Sequence, residues 1–432
     1  MTGLQVLASR TALGLAAGGA SLAITRVPQL CKGLPRRFDR GLLVALAASR
    51  LALFALVFLV AHIPARGDVP VYYLPEARSV LHGLMPYRDF ESSYGPLHPY
   101  MDSVILRLWN SPLALILFAI LIEVTTLRLF LTIARMLFSD RRTRLAGLLY
   151  LANPLSLQFV AIDGHDNVLL ALLLGVGVWT MLRGRDAISG FATGIGIGLL
   201  KLIALFFAPV YWLAGDRRWR WTAGFFVAVL LGEGVWFAMG LPLLTPIRIE
   251  SALKQAGDLP FLVESILGID IPGKVLDGTM LLMLALVWAA VALAVRGRAL
   301  EQRARIILFA LPAVTLVLEL FAKKSWPPYL MIVLFPLCLL LADRGRWALW
   351  VFEIFCVIGV SEHSFWATVL GSIGSGEMHQ GLVQHGLNFY IYIVLQVLLL
   401  SGYGWLLYLS LQAVHRYAPL TNHPTVAADL PG

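Results

Sequence analysis

The sequence predicts an all-α fold, a polytopic bundle of membrane-crossing helices. Three observations carry that reading. The chain is 59% hydrophobic and only 14% charged, with a mean hydropathy of +0.79, whereas soluble domains hold about 45–50% apolar and about 25% charged residues. The apolar residues come in runs of roughly 15–25, the length that crosses about 30 Å of hydrocarbon. Most of the 34 Lys and Arg fall in alternate loops, and most of the 25 Asp and Glu fall in the others, the pattern left by the positive-inside bias. Lipid offers no partner to an open backbone amide, so these runs read as helices.

The elements follow in order. Residues 13–24 are apolar, but Arg10 interrupts the run before them and no small-residue cleavage pattern follows. This segment reads as an interfacial or loosely packed helix at the cytoplasmic face, within an N-terminal region of 1–40, and not as a signal peptide. The first clear span is 41–63. Lys32, Arg36, Arg37 and Arg40 precede it and hold its start in the cytoplasm. A polar stretch, 64–110, comes next and falls outside. Further runs at 112–137, 145–161, 168–182, 187–200, 202–214, 222–244, 278–295, 306–322, 328–342, 347–360 and 387–412 bring the total to about twelve crossings. The runs 187–200 and 202–214 form either a hairpin broken around Lys201 or one long tilted helix. The spans make one domain, 41–415, with no separate soluble unit and no inverted repeat. The tail, 416–432, is polar and reads as disordered and cytoplasmic.

The net charge of +9 follows from this topology, so no nucleic-acid partner is expected. Cys31, Cys338 and Cys356 show no CxxC or Cys/His spacing, which excludes a disulfide framework and a zinc site. Arg50, Glu123, Arg128, Glu233 and Glu353 lie within spans. Such charges are functional candidates by default, but Arg50 or Arg128 with Glu123 reads as a structural pair.

The first outer loop carries the most information. Pro75 suits the first position of a helix and Gly83 its C-terminal cap. Leu74, Ala77, Leu81 and Leu84 share one face, with Glu76, Ser79 and His82 on the other, so a short amphipathic helix is expected in the membrane interface. Asp68 stands between this helix and the first span, at the depth of a lipid-phosphate head group. Tyr72, Tyr73, Tyr87, Tyr94 and Tyr100 crowd the same loop, at a depth that Tyr and Trp prefer.

The order of these elements resembles the membrane mannosyltransferases of glycosyltransferase family 87. The resemblance rests on Asp68, on Tyr72 or Tyr73, on Ala77-Arg78, on Gly83, Pro86 and Tyr87, and on Tyr94, Pro96 and Leu97. It continues in Asn153-Pro154, in Gly164-His165-Asp166-Asn167 and in a Gly-rich span ending at Lys201. It covers roughly the first half of the chain, beyond which only the topology is shared. Two positions depart from the family pattern: Tyr94-Gly95-Pro96 stands for Tyr-Pro-Pro, and Gly164-His165-Asp166-Asn167 stands where Gly-Gln is common. The resemblance implies a GT-C fold and a hexose, mannose, taken from a polyprenyl-phosphate donor. It further implies transfer with inversion to a glycolipid or glycan acceptor at the non-cytoplasmic face of a bacterial cell membrane, with Asp68 as general base.

Each candidate residue also has a plainer structural role to fill. Asp68 can cap the interfacial helix. Asp89 can meet acceptor hydroxyls or pair with Arg88 or Arg78. Asp163, His165, Asp166 and Asn167 lie at an outer helix junction, where they can bind sugar hydroxyls or cap a helix. A divalent cation there is the weakest reading, because hard cations take more oxygen ligands than this run displays; no metal and no cofactor are expected. Tyr72, Tyr87, Tyr94 and His98 complete the candidate sugar- and acceptor-binding set. Lys201 ends an apolar span and either snorkels or binds phosphate. Lys323 and Lys324 make the same offer, with an i,i+4 pair to Glu319 as the alternative for Lys323. His363, His379 and His385, with Trp366, read as surface or acceptor-contacting residues of the last outer loop. The rival function is a flippase for a lipid-linked saccharide, which would need a polar cavity through the spans. Charges here gather at the outer ends instead.

Overall fold

The fold was analysed in a computed structural model, which describes residues 2–27, 34–252, 254 and 256–416. Among these there is no β-strand. Eight helices are long and apolar enough to cross a membrane, and 167–182, 186–199 and 202–214 are shorter apolar segments. The all-α, polytopic class is therefore as expected, and the chain is an integral membrane protein. Cys31 and the expected tail, 417–432, lie outside the described residues.

The first helix differs from expectation. α1 (Gly3–Ile24) is packed along α17 (Arg346–Phe365) from end to end, instead of lying loosely at one face. The Thr368 hydroxyl donates to the Gly3 carbonyl at one end (3.2 Å), Ser21 donates to Glu353 further along (2.6 Å), and the Arg26 guanidinium sits over the Trp350 ring at the other. Arg10, which breaks the apolar run, is neutralised inside the bundle by Asp163 at 2.6 Å. The sequence shows an unpaired charge; the fold supplies its partner.

α2 (Pro35–Phe54) continues as a π-helical turn, Ala55–Val60, toward the end of the bundle that carries Asp68. Here α3 (Leu74–Leu81) and α4 (His98–Leu108) are short. α5 (Pro112–Leu137) returns. α6 (Asp140–Leu151) and α7 (Pro154–Phe159) form one leg broken at Asn153-Pro154, where the Asn153 side chain accepts from the Leu155 amide (3.0 Å). α8 (Asn167–Leu182) leads back. α9 (Asp186–Leu199) and α10 (Ala208–Ala214) settle the ambiguity around Lys201. They are two arms of a hairpin whose feet meet, since the Arg217 amide donates to Asp186 (3.0 Å), with Lys201 at the tip.

α11 (Arg218–Ala238) packs on α9, and α12 (Thr245–Ala252) and α13 (Leu259–Leu267) cover the Asp68 end. α14 (Gly273–Val295), α15 (Leu300–Phe321), α16 (Leu334–Ala342), α17, α18 (Ser375–Val383) and α19 (Leu387–Arg416) complete the chain. α15 runs through the core and is buried almost throughout.

Two packing devices fix the frame. Arg50 and Glu123 are both fully buried and 3.2 Å apart, and Arg50 also donates to the Leu151 carbonyl (2.9 Å) and to Ser156 (2.5 Å). A buried charge without such partners would cost several kcal/mol, roughly 3–5 when one partner is removed. Arg128 is exposed and takes no part. The second device is a small-residue seam. Gly190, Gly194 and Gly198 of α9 face Trp221, Phe225, Ala228 and Gly232 of α11, so close that a methyl group on Gly190 would run into the Trp221 carbonyl. Small residues at four-residue spacing allow such approach where no hydrophobic gain drives helices together in lipid.

Gly190→Val is therefore expected to lower stability by about 1–3 kcal/mol, read as a fall in the thermal midpoint of the protein in detergent. Gly404→Ala, where an added methyl group meets nothing within 4 Å, is expected to leave the midpoint unchanged or raise it.

Candidate functional site

At the Asp68 end, a cavity of about 480 Å³ opens between the first loop, the α7–α8 junction, the tip of the α9–α10 hairpin and the last turns of α17. It brings together residues that the sequence scatters between positions 68 and 324: Asp68, Tyr72 and Tyr94; Asp163, His165, Asp166 and Asn167; Lys201 and Lys324.

Two glycines make this possible. Gly164 turns with φ +68°, and a Cβ there would lie 2.9 Å from Val69 and 2.8 Å from Ile116. The turn can therefore press against the residue after Asp68, which sets the His165 ring nitrogen 3.5 Å from the Asp68 carboxylate. Gly95 lies so close to the last turn of α9 that a Cβ would strike the Ile197 and Gly198 carbonyls. Its amide donates to the Leu200 carbonyl (2.8 Å), and the Leu97 amide donates to Gly198 (2.9 Å). Proline at residue 95 would lack that N–H, a physical reason for the departure from Tyr-Pro-Pro. This contact seats Tyr94 beside the hairpin tip, with the Lys201 ammonium 4.4 Å from its ring centroid and 5.5 Å from that of Tyr329. The Tyr94 hydroxyl donates to Asp68 (3.4 Å).

Electrostatics follow from this geometry. Burial alone would raise the Asp68 pKa. The hydrogen bond and charge of His165, with Lys201 and Lys324 further off, outweigh it and hold the carboxyl well below the usual carboxylate range. His165 shifts up: burial opposes its charge, but the hydrogen bond and charge of Asp68, with Asp163 and Asp166, together outweigh it. Asp166 accepts from Tyr73 (3.0 Å) and bonds the His98 ring (2.7 Å). Against its burial, these contacts and Lys201 keep it low. Arg10 neutralises Asp163, which also accepts from Gln158 (3.0 Å), and Lys324 meets Glu250 at 3.1 Å. Lys201 and Arg66, both on the cavity wall, have no hydrogen bond or ion pair among the described residues.

Other candidates lie elsewhere. Lys323 turns to Asp277 (2.9 Å) and not into the cavity, and the Glu319 pair does not form, since Glu319 accepts from Ser325. Asp89 is a turn carboxylate, bound to Arg88 (2.7 Å) and to the Met85 amide (2.7 Å). The Tyr87 hydroxyl donates to the Tyr94 carbonyl (2.5 Å) and braces it from behind. His98 lies beneath the cavity, stacked on Tyr94 and facing Asp102 at 3.7 Å. Burial disfavours its charge, yet Asp102 and Asp166 push its pKa up to about 9. Glu76, expected on the wet face of α3, is buried instead and accepts from Ser92 (2.8 Å), because the first loop folds back over it.

Asn167 lines the cavity and donates to the Pro328 carbonyl (3.1 Å), tying α8 to the segment before α16. Sequence reasoning missed Arg10, Arg66, Trp326 and Tyr329 as wall residues. For Arg10 a signal existed, a charge within an apolar run. His363 and Trp366 belong to α17 and its π-helical extension, not to a surface loop, and Trp326 packs on both (5.2 and 4.5 Å between ring centroids). His379 and His385 bond the Ser265 carbonyl and Tyr390 away from the cavity. Among the described residues, no group of three or more His, Cys, Asp or Glu is arranged to hold a metal ion.

No protein-family profile matches the sequence, and no curated protein matches it. Among solved structures, the chain is similar to ArnT from Cupriavidus metallidurans bound to undecaprenyl phosphate, with a TM-score of 0.50 and 16% identity over 87% of this chain and 77% of that one. At that identity the likeness is one of fold, and the fold is the GT-C type expected from the sequence.

Gly95→Ala is expected to push the first loop off α9, with a loss of roughly 1–3 kcal/mol. A matching fall in thermal midpoint checks the contact.

Proposed function

We propose that the chain is a membrane glycosyltransferase that takes a hexose from a polyprenyl-phosphate carrier and passes it, with inversion, to a glycolipid or glycan acceptor at the non-cytoplasmic face. The observation that carries this reading is an ionised Asp68 in the same cavity as Lys201, a cation with no ion pair among the described residues. The fold shared with a structure that holds undecaprenyl phosphate supports the class of donor. Mannose as the sugar rests on the sequence resemblance.

The chemistry is a single displacement. Asp68 takes the proton of an acceptor hydroxyl as its oxygen bonds to the anomeric carbon. The bond from that carbon to the carrier phosphate breaks, and both its electrons leave with the phosphate. Lys201, supported by Lys324 and Arg66, stabilises the charge that develops there. His165 and the Tyr94 hydroxyl orient the base. Asp163, Asp166 and Asn167 offer polar groups to sugar hydroxyls, and Tyr72 offers an aromatic face at the cavity rim. A positioned base contributes typically about 10²–10⁴-fold, and charge stabilisation in a site shielded from water adds to it.

The deciding assay gives purified protein labelled polyprenyl-phosphate mannose and polyprenyl-phosphate glucose with candidate acceptors. Loss of sugar from one donor is expected, with turnover falling roughly 10²–10⁴-fold in Asp68→Asn while carrier binding persists. If neither donor loses sugar, and the protein instead moves the intact lipid across vesicles, the flippase reading replaces this one.

Two further outcomes are expected. Lys201→Ala should raise the KM for the carrier about tenfold or more, the scale of a lost charge-assisted contact, with a smaller effect on the acceptor. The pH profile of His165→Asn should also move. His165 is the strongest influence holding the Asp68 pKa down against burial, so without it that pKa rises and the acid limb of kcat/KM shifts to higher pH. An unmoved limb would assign the essential base to another group.

A further inference from the structure

Beside the cavity lies a second space. Between α1 and the end of α2, an apolar groove of about 150 Å³ is walled by Val6, Leu13, Leu53, Val57, Phe58 and Ile162. Arg10 and Arg66 line both the groove and the Asp68 cavity. The two spaces therefore adjoin, and polarity changes at a pair of arginines. Arg10 is committed to Asp163. Arg66 has no hydrogen bond or ion pair among the described residues. The sequence of environments is apolar groove, free guanidinium, then a polar cavity with a free ammonium. That is the pattern of a molecule with an apolar chain, an anionic link and a polar head.

We infer that this groove holds the first isoprenoid units of the polyprenyl phosphate, with its phosphate beside Arg66 and its sugar in the Asp68 cavity. The inference rests on the function proposed above and adds the route by which the lipid reaches the site. α1 supplies one wall; the π-helical turn Ala55–Val60 of α2 supplies the other through Val57 and Phe58. Moving an isoprenoid chain from bilayer to groove yields little hydrophobic gain, because lipid tails are as apolar as the groove. Preference for this lipid over a phospholipid comes instead from the fit of a branched chain and from the phosphate. Arg66 can bind a phosphate through two parallel N–H bonds.

The test uses the full-length protein in phosphatidylcholine nanodiscs and a polyprenyl phosphate with a diazirine on its first isoprenoid unit. Cross-links are expected within Gly3–Ile24 and Pro35–Val60, displaced by unlabelled polyprenyl phosphate but not by equal phosphatidylglycerol. Leu13→Trp and Val57→Trp, which fill the groove, should each cut labelling about tenfold, the change in affinity that about 1.4 kcal/mol makes. Should either variant fail to fold, the cross-link map of the unaltered protein decides alone. Cross-links confined to other helices, or equal displacement by phosphatidylglycerol, overturn the inference. If sugar transfer persists in that case, the proposed function stands without this route. If the protein neither binds the probe nor releases sugar from a donor, both fall.

Discussion

The site depends on one close backbone contact. Gly95 and Leu97 of the first loop donate their amides to the carbonyls at the end of α9. They reach them because no side chain stands between the two backbones. The contact joins the segment after the first span to the tip of a hairpin more than a hundred residues later. It carries Tyr94 to Lys201, and with Tyr94 the loop that holds Asp68. An unmet amide or carbonyl in lipid costs several kcal/mol, so a helix end that stops short of its last hydrogen bonds is a ready acceptor for another segment. The Gly-rich seam between α9 and α11 holds that acceptor in place.

The second organising constraint is charge neutrality at low dielectric. Several deep cations are answered by a carboxylate from a distant part of the chain: Arg50 by Glu123, Arg10 by Asp163, Lys324 by Glu250. Against that background the exceptions carry meaning. Lys201 is steadied by two aromatic rings, which favour a cation without cancelling its charge. Arg66 is steadied by no partner of either kind among the described residues. Two such cations on one cavity wall give it a positive potential, and Asp68 at the same wall stays ionised because His165, with Lys201 and Lys324 further off, offsets its burial.

The N-terminal helix ties these features together. By packing along α17 it brings Arg10 to Asp163 and so ties down the α7–α8 turn. Its other flank leaves the apolar groove beside α2. One helix thus braces the polar floor of the cavity and forms a wall of the apolar groove beside it. A loosely attached segment at the far face of the membrane could do neither.

The sequence by itself determined the all-α polytopic class, the place of Asp68 just after a span, the break at Asn153-Pro154 and the need of Glu123 for a cationic partner, which it left between Arg50 and Arg128. These follow from local composition: apolar run length, the geometry of Asn and Pro, and the cost of an isolated charge in hydrocarbon. Tertiary structure alone decided which of three lysines face the cavity, that Asp89 caps a turn, that Glu76 is buried, that α1 belongs to the bundle and that His363 and Trp366 line the site from a helix. The physical reason is that charge pairing and close backbone approach join residues far apart in the chain. Neither leaves a period or a spacing to read in one dimension.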